Sequence, residues 1–324
     1  VMSHLQRRRF LQSMLAVSAG ALVYARPARP GFSQPRVVVV GNGIGGRAFV
    51  QAMNRLCPTS RLTCIDPQAG QGRHNQLEYI AGRVVEMGFD RKYVRIENGM
   101  IAGYDALVLA PGADIHWGKI EGYTATAAEQ MPHGWIGADR GAGLQARLRA
   151  LPQGATVIVY VPGGVIRFPQ AVNQRIRQVS SYLRQHKSRS KLLVLDARQN
   201  PREGRYAADN VEWIVIASGS DSVRVDTGAA ALHIAGTTYR GDLVNFIPPQ
   251  QAGELAHRHG LVDASGWCPV DVSNSSSSRA DDVYVLGDAS IAAAGENSGL
   301  SATKQAINCA SHLAGMTRSA SGSY

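Results

Sequence analysis

The chain has 324 residues, of which 44% are hydrophobic and 18% are charged. This length can bury one large hydrophobic core or two ordinary ones, and the 35 glycines favour an α/β protein with many tight strand-to-helix turns. The formal net charge is +10, but no window offers the ~18 uncharged apolar residues of a membrane-spanning helix, and the four cysteines lack the C-x-x-C spacing of a metal site.

The N-terminal residues 1–30 predict an export signal. Arg7, Arg8 and Arg9 precede Phe10-Leu11 and a mildly apolar run to Tyr24, a pattern typical of a twin-arginine signal peptide. The alternative is a basic helix of the mature fold. An exported, periplasmic protein is not expected to bind nucleic acid, so the remaining positive charge indicates an acidic partner, an anionic membrane surface or only a solvated surface.

The first predicted element is a buried parallel strand, Arg36–Val40, because its apolar run is continuous. Six residues carrying a G-x-G-x-x-G motif follow it, from Gly41 to Gly46. A helical stretch then runs from Arg47 to about Leu56, and a second strand, Arg61–Ile65, ends at Asp66.

The glycine motif in this strand–turn–helix context predicts a dinucleotide site. Gly41 permits the tight turn, Gly43 lets the backbone approach a pyrophosphate, and Gly46 allows the helix to pack closely on the strand. The helix N-terminus would offer free N–H groups and the positive end of its dipole to phosphates. Asp66 would accept hydrogen bonds from the hydroxyls of the adenosine ribose. The alternative is a purely structural glycine-rich turn.

Two later turns favour FAD over NAD as the dinucleotide. The strand Tyr104–Leu109 ends in an A-x-G turn that resembles the one passing the flavin in two-domain flavoprotein reductases. The residues of this turn are Ala110, Pro111 and Gly112. The strand Val283–Leu286 leads into Gly287 and Asp288, which resemble the late motif of that superfamily, whose Asp binds the ribityl chain and a nearby phosphate.

The last helix is predicted to begin near Ser298 and Gly299 and to end near Leu313. Its positive dipole end would face the flavin pyrimidine and stabilise the negative charge that gathers there on reduction. The alternative is a helix that only packs in the core.

A second α/β unit begins near residue 150, with a strand Ala155–Val161, a helix Gln174–His186 and a strand Lys191–Leu195. After the first of these strands, Pro162–Ile166 replaces the glycine fingerprint that a nicotinamide-using reductase repeats here. NAD(P) binding is therefore not expected, and electrons should leave to another protein or a quinone. The β-branched runs from Val211 to Thr238 predict antiparallel strands.

These elements predict an α/β fold with two Rossmann-like dinucleotide-binding domains of the disulfide-reductase, FAD/NAD(P) type. The FAD domain is expected to be discontinuous, with residues 35–118 and 243–316. Residues 119–242 would form the second, degenerate NAD-like domain, and residues 317–324 a disordered tail.

The chain resembles the flavoprotein subunit of flavocytochrome c sulfide dehydrogenase, a relative of sulfide:quinone oxidoreductase. The stretches that carry the resemblance are Lys119–Tyr123, Asp242–Gln250, Ala264–Asp271 and Ile291–Gln305. The resemblance implies export by a twin-arginine signal, a c-type cytochrome subunit as partner, and oxidation of a small sulfur substrate at FAD beside a redox-active disulfide.

Departures from the family pattern alter the expected site. The segment Gln68–His74 is shorter than in the family and lacks the cysteine that links covalently to the flavin, so FAD is predicted to be non-covalent. Cys268 matches one cysteine of the family's disulfide, whereas Phe168 replaces the other and Gln174 replaces a nearby acid. Cys268 is thus the catalytic candidate, with a buried, chemically silent thiol as the alternative. His116 is either an acid/base group or a structural histidine.

Two functions follow as hypotheses. The first is a periplasmic FAD oxidoreductase of the sulfide dehydrogenase type that passes electrons to a c-type cytochrome. The second is a divergent flavin-binding protein without sulfide turnover that serves in electron transfer or assembly. The remaining cysteines, Cys57, Cys64 and Cys309, are expected to lie in the core.

Overall fold

The computed structural model describes residues 34–70, 72–135, 140–198, 206–216, 223–291 and 299–321. The predicted export signal, residues 1–30, lies outside the described residues. Contacts divide the chain into two compact units. The first unit comprises residues up to Gly112 and from Ala252 onward, and the second unit is Ala113–Gln251.

The described residues of the first unit begin with one helix and eight strands, and the helix, α1, packs against a mainly parallel sheet. The elements are β1 (Arg36–Val40), α1 (Ile44–Leu56), β2 (Arg61–Asp66), β3 (Gly72–His74), β4 (Leu77–Ala81), β5 (Val84–Gly88), β6 (Tyr93–Ile96), β7 (Ile101–Gly103) and β8 (Ala106–Leu109).

In the described part of the second unit there are three helices and most of the remaining strands. The elements are β9 (Ala113–Ile115), α2 (Ala127–Gln130), α3 (Arg140–Ala150), β10 (Thr156–Val161), α4 (Pro169–His186), β11 (Lys191–Asp196), β12 (Val211–Val215), β13 (Val223–Asp226), β14 (Ala231–Ile234), β15 (Thr237–Arg240), β16 (Leu243–Phe246) and β17 (Gln250–Ala252).

The chain then returns to the first unit. The elements are α5 (Glu254–Arg258), β18 (Cys268–Pro269), β19 (Val283–Val285), a 3₁₀ turn (Gly287–Ala289), β20 (Ser290–Ile291) and α6 (Gly299–Ser321).

The sheet of the first unit has the strand order β19-β8-β1-β2-β4-β3. All neighbouring strands are parallel except β3 and β4. Helices α1 and α6 bury apolar residues against this sheet. Among these residues, Phe49, Met53 and Ala310 are each 0% exposed. Strands β5, β6 and β7 form a separate antiparallel sheet.

The second unit has a parallel sheet in the order β12-β11-β10-β16 and an antiparallel sheet in the order β13-β14-β15. Its core includes packed aromatic rings: the Phe246 ring is stacked on Tyr160, with centroids 4.5 Å apart, and tilted against Tyr123, with centroids 4.3 Å apart. Each unit thus has a sheet that is wholly or mainly parallel, which confirms the predicted α/β class with two Rossmann-like domains.

The boundaries between the units differ from the predicted ones. Leu243 pairs with Val157, so β16 completes the sheet of the second unit instead of opening the return to the first. A fully buried strand finds its stabilising neighbours in that sheet. The second unit accordingly runs to Gln251, beyond the predicted end at residue 242.

Several element predictions need correction. Strand β12 is parallel to β11, with Leu192 opposite Val211, whereas antiparallel pairing was expected. Helix α4 begins at Pro169 instead of Gln174 because proline at the first helical position is pre-organised for a helix. The backbone of α6 continues to Ser321, through much of the predicted disordered tail, since no proline interrupts it.

Within the described ranges, none of the helices combines the length and apolar character that a membrane crossing requires.

Candidate functional site

Three predicted motifs converge at the carboxyl-end edge of the first unit's sheet. Gly41 N donates to Ile65 O at 2.9 Å, and Ala110 N donates to Val40 O at 2.8 Å. On the other side of β8, Leu286 N donates to Leu109 O at 2.8 Å. The parallel register therefore brings the glycine loop, the A-x-G turn and the Gly287-Asp288 turn together, where open α/β sheets bind ligands.

The three fingerprint glycines have different physical roles. Gly41 has φ +102°, and a Cβ there would lie 2.3 Å from Ala110 O. A Cβ on Gly46 would lie 1.9 Å from Gly41 O, so this glycine allows α1 to approach its own loop. A Cβ on Gly43 would meet no atom within 4 Å. Two glycines thus serve packing, and the third leaves open space for a ligand to approach the backbone.

Helix α1 offers an anion-binding end. It begins at Ile44, three residues earlier than predicted, and its N-cap residue Gly43 has no side chain to bond the first-turn N–H groups. The first turn holds no acidic residue. The side-chain oxygen Oδ1 of Asn42, in the same loop, is buried and accepts no hydrogen bond from the described residues. Free N–H groups at a helix N-terminus favour a phosphate.

Asp66 is fixed against the glycine loop. Its Oδ2 accepts a hydrogen bond from Asn42 N at 2.8 Å, and its Oδ1 accepts one from Gln68 N at 2.8 Å. The carboxylate is half-buried. Each oxygen keeps a further lone pair, so the carboxylate can still accept hydrogen bonds from the hydroxyls of a ribose.

The turn after β19 is held by a residue that the sequence analysis did not single out. Gly287 has φ +69°, and its N–H donates to Gln305 Oε1 at 2.7 Å. The Ser290 hydroxyl donates to Gly287 O at 2.9 Å and also lies 3.4 Å from Gln305 Oε1. Gln305 is 8% exposed on α6. This buried carboxamide therefore binds the Gly287 backbone on one side of the half-buried Asp288 and contacts the Ser290 hydroxyl on the other.

The A-x-G turn is tied to the returning chain. Gly112 has φ +73° and its carbonyl accepts a hydrogen bond from Gly253 N at 3.2 Å. A Cβ on Gly253 would lie 3.3 Å from the Pro111 Cβ. Ala110, Pro111 and Gly112 are all half-buried, so the turn still borders solvent-accessible space.

The start of α6 lies beside the start of α1. A Cβ on Gly299, the first residue of α6, would lie 2.9 Å from Ile44 Cδ1. Two helix N-termini therefore meet at the same edge of the sheet. Ser298, the other predicted residue of this helix start, lies outside the described residues.

Cys268 adjoins the Asp288 turn. It pairs with Ser290 in the parallel β18–β20 ladder and is 0% exposed. Phe168, predicted from the sequence to replace the family's second cysteine, lies in the second unit with φ +60° and is 37% exposed. The side chain of His116, the acid/base candidate, is exposed.

The other cysteines lie in the core of the first unit, as expected. All four cysteines are described and none forms a disulfide. Burial and the Asp66 carboxylate raise the pKa of the Cys64 thiol to about 12, and burial also raises the pKa of Cys309. Thiols held protonated at neutral pH are poor nucleophiles.

The corresponding edge of the second unit is closed. Asp196, at the end of β11, is 0% exposed and accepts hydrogen bonds from Arg198 Nε at 2.9 Å, Arg198 Nη2 at 2.7 Å and Trp213 Nε1 at 3.2 Å. These bonds occupy the oxygens that would otherwise face a ribose. The geometry thus favours one dinucleotide site, in the first unit.

The comparison with protein families matches the second unit. Residues 142–248, about a third of the chain, match the model described as "Sulfide dehydrogenase [flavocytochrome c] flavoprotein chain, central". This match confirms the resemblance identified from the sequence.

Solved structures show the same fold at low identity. The sulfide:quinone oxidoreductase of Aquifex aeolicus is 18% identical with a TM-score of 0.65, and the match covers 88% of this chain and 78% of that one. The NAD-dependent persulfide reductase of A. fulgidus is 18% identical with a TM-score of 0.62, covering 86% and 59%. Reduced Bacillus anthracis CoADR-RHD is 16% identical with a TM-score of 0.59, covering 88% of this chain but 58% of that one.

Proposed function

We propose that the protein is an exported FAD-dependent oxidoreductase that oxidises sulfide or a related sulfur species and passes electrons to a c-type cytochrome. The observation that carries the proposal is the convergence of the glycine loop, Asp66 and the Gly287-Asp288 turn at one sheet edge. The family match of residues 142–248 supports sulfur chemistry and a cytochrome partner.

The residues present fit FAD. The open space at Gly43 and the uncapped N-terminus of α1 suit the pyrophosphate, and the buried Oδ1 of Asn42 is a polar atom that a ligand can satisfy. Asp66 would bind the adenosine ribose, and Asp288 the ribityl hydroxyls. The start of α6 at Gly299 would stabilise negative charge on the reduced flavin. FAD would supply a two-electron acceptor that can release electrons singly.

We place the electron exit at a protein partner because the second unit does not suit a nicotinamide. Its acid, Asp196, is bound by Arg198 and Trp213, and Pro169 removes a backbone donor from the first turn of α4. The resemblance to a flavocytochrome subunit then favours a c-type cytochrome. The arginine-rich N-terminus supports passage through the twin-arginine route, which carries proteins already folded around their cofactor.

A second candidate is a flavin-binding protein without sulfide turnover. Two features support it: Cys268 is fully buried, and the family resemblance places Phe168 where the family has its second cysteine. A buried thiol without a disulfide gives sulfide no electrophilic sulfur to attack. In the first candidate, bound FAD would therefore have to supply the electron acceptor for sulfide, with or without the help of Cys268.

The first test is a visible spectrum of the purified protein before and after precipitation with acid or heat. We expect a flavin spectrum and release of FAD into the supernatant, because no cysteine lies in Gln68–His74. Flavin retained in the pellet would contradict the non-covalent assignment, and absence of flavin would contradict the cofactor itself.

The second test is anaerobic stopped-flow reduction by sulfide of the FAD-loaded protein, Cys268→Ser and Phe168→Cys, with Cys57→Ser as the matched control. The first candidate predicts flavin bleaching in the parent protein and in Cys57→Ser, with faster bleaching in Phe168→Cys if the inherited site lacks one sulfur. Absence of bleaching in every FAD-loaded variant would favour the second candidate.

A further inference from the structure

A cavity in the second unit opens between α3 and α4 and has a volume of about 310 Å³. We call it the α3–α4 cavity. Its apolar lining consists of Leu144, Leu148 and Val179. Its polar lining consists of Gln145, Arg149, Arg175, Gln178 and Tyr182. Among the described residues that line it, the cavity therefore combines an apolar wall with two guanidinium groups and no carboxylate.

Arg175 is held in this cavity by neutral groups. Its Nη1 donates to Asn245 Oδ1 at 3.2 Å and to His133 O at 3.3 Å, and its Nη2 donates to Gly134 O at 2.7 Å. Asn245 is itself oriented, since its Nδ2 donates to Pro132 O at 2.6 Å. Burial lowers the pKa of Arg175. These bonds fix the guanidinium but leave its positive charge without a carboxylate partner among them.

The chain around the cavity strengthens the positive potential. From Arg140 to Leu195 the sequence has ten lysines and arginines and no aspartate or glutamate. The acids that flank this stretch are Asp139, outside the described residues, and Asp196, which is bound by Arg198. One of these cations, Lys191, pairs with Glu212 at 3.9 Å, and the remaining excess of positive charge in this stretch favours counter-charged ligands.

We propose that the α3–α4 cavity binds a small organic oxyanion, with a phosphate-type group on Arg149 and Arg175 and an apolar body against Leu144, Leu148 and Val179. Arginine is suited to oxyanions because its planar donors pair with two oxygens at once. The volume lies near the lower end of the ~300–1,000 Å³ typical of ligand cavities. All the residues that line the cavity belong to the second unit, and the inference does not rest on the proposed function.

The test is isothermal titration of the purified, FAD-loaded protein with phenyl phosphate at low and at physiological salt. Inorganic phosphate and benzyl alcohol separate the contributions of charge and apolar body, and phosphatidylglycerol vesicles separate a lipid headgroup from a free ligand. Arg149→Gln and Gln178→Glu alter the cavity, and Arg189→Gln removes a charge from the same basic stretch outside the cavity. The flavin spectrum and far-UV circular dichroism verify folding.

Phenyl phosphate is expected to bind more tightly than inorganic phosphate or benzyl alcohol. Arg149→Gln and Gln178→Glu should weaken it about three- to tenfold, and Arg189→Gln less than about twofold. If the vesicles compete with phenyl phosphate for the cavity, the natural ligand is a lipid headgroup. If they do not compete, it is a free ligand. Absence of binding to phenyl phosphate, or equal weakening by Arg149→Gln and Arg189→Gln, would overturn the proposal.

Discussion

The two strand–turn–helix units of this protein share a topology but differ at the strand ends. In the first, three residues separate β1 from α1, and the helix begins directly after Gly43. In the second, seven residues separate β10 from α4, Phe168 forms the N-cap in a left-handed conformation, and Pro169 opens the helix. A proline has no N–H group, so the second helix presents fewer donors to an anion.

The acids at the ends of the second strands differ in the same way. Asp66 is half-buried and bonded only to backbone N–H groups of neighbouring turns in the described structure, whereas Asp196 is fully buried and bonded to Arg198 and Trp213. One acid is available to a ligand, and the other is part of the core. The comparison teaches that an α/β unit can lose a dinucleotide site while keeping its fold, because packing of apolar strands and helices provides the stability.

The largest expected effect concerns the glycines of the two turns. Gly46→Ala would place a Cβ 1.9 Å from Gly41 O, so α1 must move away from its loop and FAD retention should be lost. The matched control is Gly164→Ala, in the second turn, where φ is +81° but no atom lies within 4 Å of the added Cβ. Gly164→Ala should lower the free energy of unfolding by about 1–2 kcal/mol and leave FAD bound. In both variants, flavin content per chain measures FAD retention and urea unfolding measures stability. Full flavin content in Gly46→Ala would contradict this assignment.

The two acids should respond oppositely to the same substitution. Asp196→Asn breaks a buried pair whose side chains are 0% and 17% exposed. The expected loss in the free energy of unfolding is about 3–5 kcal/mol. Asp66→Asn should instead weaken FAD binding with little effect on unfolding. Urea unfolding of the apoprotein and FAD titration separate the two effects. Weaker FAD binding only in Asp196→Asn would reverse the assignment of the sites.

A smaller effect is expected at Asp288. Asp288→Ala removes the acceptor that we assign to the ribityl hydroxyls, and a charged hydrogen bond contributes about 1.5–3 kcal/mol. FAD affinity should therefore fall roughly ten- to a hundredfold. Asp281→Ala, an exposed acid on the preceding loop, is the control and should leave affinity unchanged. Equal affinities of the two variants would show that the Gly287-Asp288 turn is misassigned.

The smallest expected effect is that of nicotinamide nucleotides on the flavin absorbance. NADH and NADPH should not bleach the flavin rapidly under anaerobic conditions, because the second unit lacks the glycine fingerprint and its acid is bound by Arg198. Dithionite provides the positive control for a reducible flavin. Rapid bleaching by either nucleotide would show that the second unit binds NAD(P)H despite these features.

Much of the candidate site was predictable because its determinants are local. Gly41 needs a positive φ, Gly46 needs the absence of a Cβ, and both requirements act on neighbouring backbone. The position of Asp66 at the end of β2 follows from the lengths of α1 and β2 alone. The A-x-G turn and the Gly287-Asp288 turn each follow a continuous apolar strand, so their place at the sheet edge could also be predicted.

The remaining features depend on residues far apart in the chain. Only the folded structure shows that Gln305 on α6 accepts the hydrogen bond of Gly287 N, or that Cys268 pairs with Ser290. The closure of Asp196 by Trp213 is likewise a contact between two strands. The sequence by itself determined which turns can approach a dinucleotide, because backbone conformation is a local property. Tertiary structure decided which polar groups are bound internally and which stay available, because hydrogen-bond partners are assigned by packing.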